Sequence, residues 1–388
     1  MLICGIITDP TLNNIDYIRP YHDHEVNEGL KELRKHPMIK ALLTFALPDK
    51  SLEEMDEILD NCHSIRDFQT QIIYHAVRQV IERSSEGLFS EGFDNLKPGV
   101  SYLFISNHRD IVLDTSFINT ILFEKNLVMT ASAIGDNLVH KPFLLGLSKL
   151  NRNFLVQRNL PPKEMLESSK MLSEYIRDLL QKNQRSVWIA QREGRTKDGN
   201  DRSQQGVLKM IGLAKGELPI MEYFKSLRVV PISISYEYDP TDILKMPELI
   251  AKENDETYVK SSNEDFNSIL QGALGNKKRI CIIAGEVLDK EFDEIAASGE
   301  PINKQLGMLA ECIDRKIHQN YRLWPSNYVA YDLYHHTEKY SAQYDDKEKR
   351  QFERRLEKRI DSSNPVAVKN FLLMYANPVI NKEASAQE

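Results

Sequence analysis

From Val100 onward, short runs rich in β-branched and aromatic residues alternate with amphipathic helical patterns. This alternation limits the possible folds more than any other feature of the chain. Strands are predicted at Tyr102–Ser106, Leu127–Ala131, Phe154–Val156, Ser186–Ala190, Val229–Tyr236 and Arg279–Ala284. Helices are predicted between them at Thr115–Glu124, Pro142–Leu147, Pro162–Gln181, Gly206–Ala214 and Asn263–Gly272. Buried strands alternating with amphipathic helices mean an α/β fold, a sheet layered with helices. Ligands in such sheets bind at strand ends.

Helical patterns precede the alternation. Leu30, Leu33, Met38, Ile39, Leu42, Leu43 and Leu47 share one apolar face, and Ser51 to Glu54 has capping-box spacing. Ile72, Ile73, Ala76, Val77, Val80 and Ile81 form a further stripe, with a break near Ser84 to Gly87. The expected organisation is a helical module over 1–90, an α/β domain over 91–330 and a charged helical extension over 331–388. The last residues of that extension read as disordered. A chain of 388 residues is long enough for a large core and a second module.

Net charge of −7 argues against a general nucleic-acid binder, so any basic surface is local. No apolar run approaches the ~20 residues needed to span a bilayer. The opening Met1 to Ile7 has no Lys or Arg before it, runs into Asp9-Pro10, and does not read as a signal peptide. Cys4, Cys62, Cys281 and Cys312 are far apart, without a CxxC. They read as reduced thiols in a cytosolic protein, neither a disulfide frame nor a zinc site. His22-Asp23-His24-Glu25 lies in a loop-like segment without further spaced ligands, and His335-His336 sits on a polar helix. Both read as solvated.

The chemistry-bearing run is Ser106-Asn-His108-Arg-Asp110-Ile-Val-Leu-Asp114-Thr. It puts an imidazole at a strand end with two carboxylates close behind. A carboxylate can fix the imidazole tautomer and stabilise the imidazolium, which makes His108 a candidate general base. Asp114 is favoured as its partner because it directly precedes the apolar helix, with Asp110 as the alternative. His108-Arg-Asp110 also opens like a protein-kinase catalytic loop. The Asn that loop requires would fall on Thr115, and the chain has neither GxGxxG nor Asp-Phe-Gly.

With its neighbours, the run resembles the glycerolipid acyltransferase family, over roughly Val100 to Leu288. Asn107-His108 to Asp114 is similar to the family's HX4D with one extra residue. Asn153-Phe-Leu-Val-Gln-Arg158 is similar to its Phe-Ile/Val-x-Arg strand. Trp188 to Gly199, containing Glu193-Gly194-Arg195, followed by Gly206-Val-Leu-Lys209, is similar to its Pro-Glu-Gly-Thr-Arg-Ser block with one residue missing. Val229-Val-Pro231-Ile is similar to its Ile-Pro strand, and Gly285-Glu-Val-Leu288 follows a further family-like strand.

The resemblance implies a glycerol-3-phosphate acyltransferase-like α/β fold, a mixed sheet flanked by helices and preceded by a helical module. It also implies transfer of a fatty acyl group from acyl-CoA or acyl-carrier protein to a glycerol-phosphate hydroxyl. His108 would be the base and Asp114 or Asp110 its orienting acid. Arg158, Arg195, Lys197 and Lys209 would hold phosphate, while Glu193 and Gly194 shape the acceptor pocket. No tightly bound cofactor or metal is implied. Glycerol 3-phosphate and 1-acylglycerol 3-phosphate stand level as acceptors. An amino-acid lipid acceptor and a catalytically inactive lipid-binding scaffold are the alternatives. The expected location is the cytoplasm, peripheral on the inner face of the membrane. Arg354, Arg355, Lys358 and Arg359, with glutamates between them, read first as a solvated helix face; the alternative is a foothold on anionic lipid, with Phe371 to Leu373 inserting nearby.

Overall fold

Among the described residues seven strands pair into one mixed sheet: β1 (Ser85–Glu91), β2 (Leu103–Ser106), β3 (Thr130–Gly135), β4 (Asn153–Val156), β5 (Ser186–Ala190), β6 (Val229–Tyr236) and β7 (Lys278–Ala284). The computed structural model describes residues 15–261 and 263–387. Cys4 and the opening Met1 to Ile7 lie outside them. The strand order is β1-β7-β6-β2-β5-β3-β4. β6, β2, β5, β3 and β4 are parallel, β7 runs antiparallel to β6, and β1 is parallel to β7. Every residue of β2 and β6 is buried. That is why these strands read as continuous apolar runs rather than as alternations.

Alternate side chains feed two cores. On one face Leu103, Ile105, Val187 and Val229 pack with Ile176 and Ile313 from the covering helices. On the other, Phe104, Trp188, Val230 and Ile232 pack with Phe117 and Ile121. The helices over residues 23–84 build a third cluster around Val26, Leu30, Leu43, Phe68 and Ile72, into which Leu150 reaches from beside the sheet.

Two strands differ from expectation. β1 falls where a break was predicted: Ser85-Glu-Gly-Leu-Phe-Ser-Glu is polar and only partly buried, as an edge strand can be. β3 was expected at Leu127–Ala131, yet the strand begins at Thr130 and runs through small residues to Gly135. Leu127 and Met129 are buried in the core just before it, so their hydrophobicity marked the approach to the strand rather than the strand itself.

The C-terminal expectations change most. Pro365–Ser385 is a single helix, where the last residues were expected to be disordered. Phe371 and Leu372 are 0% and 7% exposed, packed with Phe352, Tyr375, Tyr238 and Met246. Arg355 and Arg359 pair with the buried Asp242 at 2.8 and 2.7 Å. The proposed lipid foothold at these residues is therefore overturned: its apolar residues form a core and two of its cations neutralise a buried acid. His22 and His24 belong to the start of a helix (Asp23–Arg34), not to a loop. Cys62, Cys281 and Cys312 are free and buried.

Candidate active site

β2 ends where its backbone must leave the sheet, and Asn107 sets the exit. Its side-chain carbonyl accepts the Ile234 N–H at 2.8 Å and its amide donates to the Ile234 carbonyl at 2.9 Å. A side chain thus continues the β2–β6 ladder one residue beyond the strand. His108 follows, with Nδ1 2.8 Å from Asp114 Oδ2. Among the described residues Nε2 has no hydrogen-bond partner. The imidazole is mostly buried and meets Trp188 edge-on at 5.4 Å between ring centroids.

Asp114 is the second residue of the helix Leu113–Glu124 and is fully buried. Its Oδ2 also accepts the Arg109 and Asp110 N–H groups at 2.6 and 3.0 Å, and its Oδ1 accepts the Tyr236 hydroxyl at 2.8 Å. Four donors around one carboxylate satisfy a group that would otherwise be costly to bury. The first turn of a helix also favours its negative charge.

Asp110 does different work. Its Oδ1 accepts the Val112 and Leu113 N–H groups at 3.0 and 2.9 Å, capping the same helix. That turn absorbs the extra residue in the spacing between His108 and Asp114. Asp110 Oδ2 is buried without a partner and faces Gly272, where an added Cβ would stand 2.2 Å away. Burial, then the neighbouring Asp114 charge, push the Asp110 carboxyl above its ordinary value.

The loop after β5 carries the other expected residues. The Thr196 N–H donates to the His108 carbonyl at 2.9 Å, tying this loop to the histidine turn. Gly194 has φ +70 with nothing within 4 Å of a built Cβ, so a left-handed backbone opens directly onto free space. Glu193 is exposed and its carboxylate meets the Arg158 guanidinium at 2.5 Å. Arg195 makes a long contact of 3.5 Å to the Thr241 hydroxyl. Lys197 pairs with Glu248. Lys209 stands exposed on the helix Gln205–Gly212, and no contact among the described residues joins it to this group. The structure thus gathers His108, Asp114, Arg158, Glu193, Gly194 and Arg195 at the C-terminal edge of the parallel strands. Lys197 lies further along the same loop.

Several residues the sequence reading passed over hold this arrangement. Arg109 donates to Asp201 at 2.6 Å, and the same carboxylate oxygen accepts from Asn107 at 3.2 Å and from the Tyr321 hydroxyl. Lys245 pairs with Asp239 and donates to the Arg109 carbonyl at 3.3 Å. Burial alone would raise Asp239; the charge and hydrogen bond of Lys245 hold it below its ordinary value. Behind the dyad lies a cavity of about 30 Å³ lined by Arg109, Tyr236, Asp239, Tyr321 and Tyr375. The C-terminal helix supports the loop: Asn377 donates to the Asp198 carbonyl at 2.7 Å. Gly199 (φ +74) lies so close to the Met374 carbonyl that a Cβ would sit 2.2 Å from its oxygen. Tyr236 had one legible signal, a tyrosine at the end of a predicted strand on the histidine's edge. The Arg109, Asp201 and Tyr321 contacts join residues some 90 to 120 positions apart and had none.

Residues 88–235 match the family model described as Acyltransferase. That span contains the histidine turn, Arg158 and the loop after β5. No curated protein matches the chain in sequence. Among solved structures, it is similar to the 1-acyl-sn-glycerophosphate (LPA) acyltransferase PlsC from Thermotoga maritima. The two are 13% identical with a TM-score of 0.36, over 74% of this chain and 93% of that one, a likeness too distant to bear on substrate. Over residues 88–235 the chain is thus similar to the acyltransferase family that its sequence blocks resemble.

Proposed function

We propose that this protein is an acyltransferase that moves a fatty acyl group from an acyl thioester, of CoA or acyl-carrier protein, to a hydroxyl of glycerol 3-phosphate or 1-acylglycerol 3-phosphate. The observation that carries this reading is the 2.8 Å contact from His108 Nδ1 to Asp114, which leaves Nε2 free to accept a proton. In the reaction, Nε2 takes the acceptor hydroxyl proton as that oxygen attacks the thioester carbonyl. Asp114 stabilises the imidazolium. Collapse of the tetrahedral adduct expels the thiolate, to which His108 returns the proton. A thioester is already activated, so no serine or cysteine nucleophile is required. The Gly194 and Arg195 N–H groups have no hydrogen-bond partner among the described residues and suit the developing oxyanion.

Arg158 and Arg195 supply the guanidinium pair for the acceptor phosphate, with Lys197 as a further cation. Glu193 now neutralises Arg158, so the phosphate displaces it and frees the Glu193 carboxylate to face an acceptor hydroxyl.

No helix among the described residues is long and apolar enough to cross a membrane. A peripheral contact with lipid is favoured by Phe266, Leu270 and Leu274, which are 36%, 49% and 63% exposed one turn apart on the helix Glu264–Leu274. The other side of that helix, at Gly272, lies against Asp110, so the helix that carries this apolar stripe packs on the catalytic turn.

The test is a mass-spectrometric acyl-transfer assay offering each acceptor with each thioester. Expected is product from one glycerol-phosphate acceptor, with His108→Ala slowing turnover by about 10²–10⁴-fold. Product only on an amino-acid lipid would replace the acceptor. Lipid binding without turnover on any acceptor would replace the enzyme with a scaffold.

A further inference from the structure

The N-terminal edge of the parallel strands lies on the far side of the sheet from His108, about 15 Å away for strands of four to five residues. Arg152 closes the turn before β4 with φ +60, and Arg185 directly precedes β5. β3 lies between these strands: Asn153 pairs with Ser132, and Ser186 with Thr130. The two arginines therefore leave the same edge about two strand spacings, ~10 Å, apart. Arg66 joins them from the helical module. Its guanidinium lies 5.9 Å from the centre of the Phe123 ring, at the end of the helix Leu113–Glu124 that begins beside His108 and runs to this edge.

Among the described residues no carboxylate pairs with any of the three charges and none of them has a side-chain hydrogen bond, and Arg152 Nε is buried without a partner. Arg109, Arg355 and Arg359, on the catalytic side, each hold a buried carboxylate. Asp23 faces the group, but its Oδ1 accepts the Ile65 N–H at 3.1 Å, and a single acid leaves an excess of positive charge. Mutual repulsion is felt: burial, then Arg185, push the Arg152 guanidinium down to about 10, while burial and Arg66 lower Arg185. Folding has brought together like charges that gain nothing from one another.

The geometry points to a second phosphate-binding site formed by Arg66, Arg152 and Arg185, at the sheet edge opposite the catalytic histidine. Three guanidinium groups present paired N–H donors that match the oxygens of a phosphate group. The ligand is a phosphate ester, carried either by a soluble molecule or by a lipid headgroup. This site stands apart from the acceptor phosphate site of the proposed reaction and does not depend on that reading.

The test measures thermal stability of the full chain against inorganic phosphate, with ionic strength held constant by chloride. Wild type, R66Q/R185Q and R195A are compared, and circular dichroism confirms that each variant folds. Expected is a saturable rise in Tm in wild type and R195A, with apparent affinity at least about tenfold weaker in R66Q/R185Q. The conservative R66K/R185K pair keeps the charge and should recover part of the affinity. Co-sedimentation with phosphatidylglycerol vesicles that is lost in R66Q/R185Q would assign the phosphate to a lipid headgroup. Phosphate stabilisation with vesicle binding unchanged in that variant would assign it to a soluble ligand. No saturable rise, an equal rise in R66Q/R185Q, or a rise lost only in R195A would overturn the proposal.

Discussion

Asp110 and Asp114 are four residues apart and chemically identical, yet their partners differ. One accepts helix N–H groups; the other meets the imidazole. Asp114→Asn should lose most activity while the chain stays folded, because the amide cannot stabilise an imidazolium in the way a carboxylate does. Asp110→Asn keeps an oxygen for the Val112 and Leu113 N–H groups and should retain most activity. Turnover of the two variants side by side checks this, and equal losses would refute the division of roles. Tyr236→Phe removes one of four donors to Asp114. A hydrogen bond to a charged group contributes about 1.5–3 kcal/mol, so kcat should fall by roughly tenfold or more, with its pH profile displaced. Unchanged kcat and pH profile would show that the hydroxyl does not position the dyad. At this scale the sequence was readable for His108 and for the choice of Asp114, because both lie within one strand-turn-helix unit. Tyr236 is 122 residues from Asp114, and only the pairing of β2 with β6 brings it there.

Elements decide whether the loop after β5 keeps its shape. The helix Pro365–Ser385 touches that loop at Gly199 and Asp198 and shares a buried ionic group with the helices Asp242–Glu253 and Asp346–Arg359. Gly199→Ala forces a left-handed residue and a clash with the Met374 carbonyl, and should reduce stability and activity together, as denaturant midpoint and turnover would show. Arg355→Met leaves Asp242 with Arg359, the Tyr375 hydroxyl and the Ile243 N–H. Removing one partner of a buried ion pair typically costs about 3–5 kcal/mol, which urea unfolding would detect. A cost under about 1 kcal/mol would mean that Arg359 and Tyr375 suffice. The charged pattern of 345–360 announced a helix, but its role was misread. Charge in a sequence looks the same whether it faces water or a buried acid.

For the whole molecule, the balance of buried titrating groups sets how stability responds to pH. Burial pushes Lys277 and Lys149 from the ordinary 10.5 down to about 8, the latter helped by Arg19. Between those values the unfolded chain holds more protons than the folded one, so each lysine makes stability rise with pH from about 8 towards 10.5. The thiols of Cys62 and Cys281, pushed up to about 11 from 9 by burial, act in the opposite direction above pH 9. The informative quantity is therefore a difference: the unfolding free energy of wild type minus that of Lys277→Met should increase between pH 8 and 10. A flat difference would show that the ammonium is not destabilised by folding. The amino-acid sequence by itself determined the layered α/β class, five of the strands to within a residue, the histidine turn and the acidic-basic loop after β5. Each of these is written in contiguous periodicity, and hydrophobic burial acts on that period. Tertiary structure alone decided that Tyr236 donates to Asp114, that the C-terminal helices support the loop after β5 rather than lie open to lipid, and that three arginines converge at the far edge of the sheet. Those outcomes depend on strand order and on contacts between residues 100 or so apart, where the free energy of burying and pairing charge selects partners that no local pattern names.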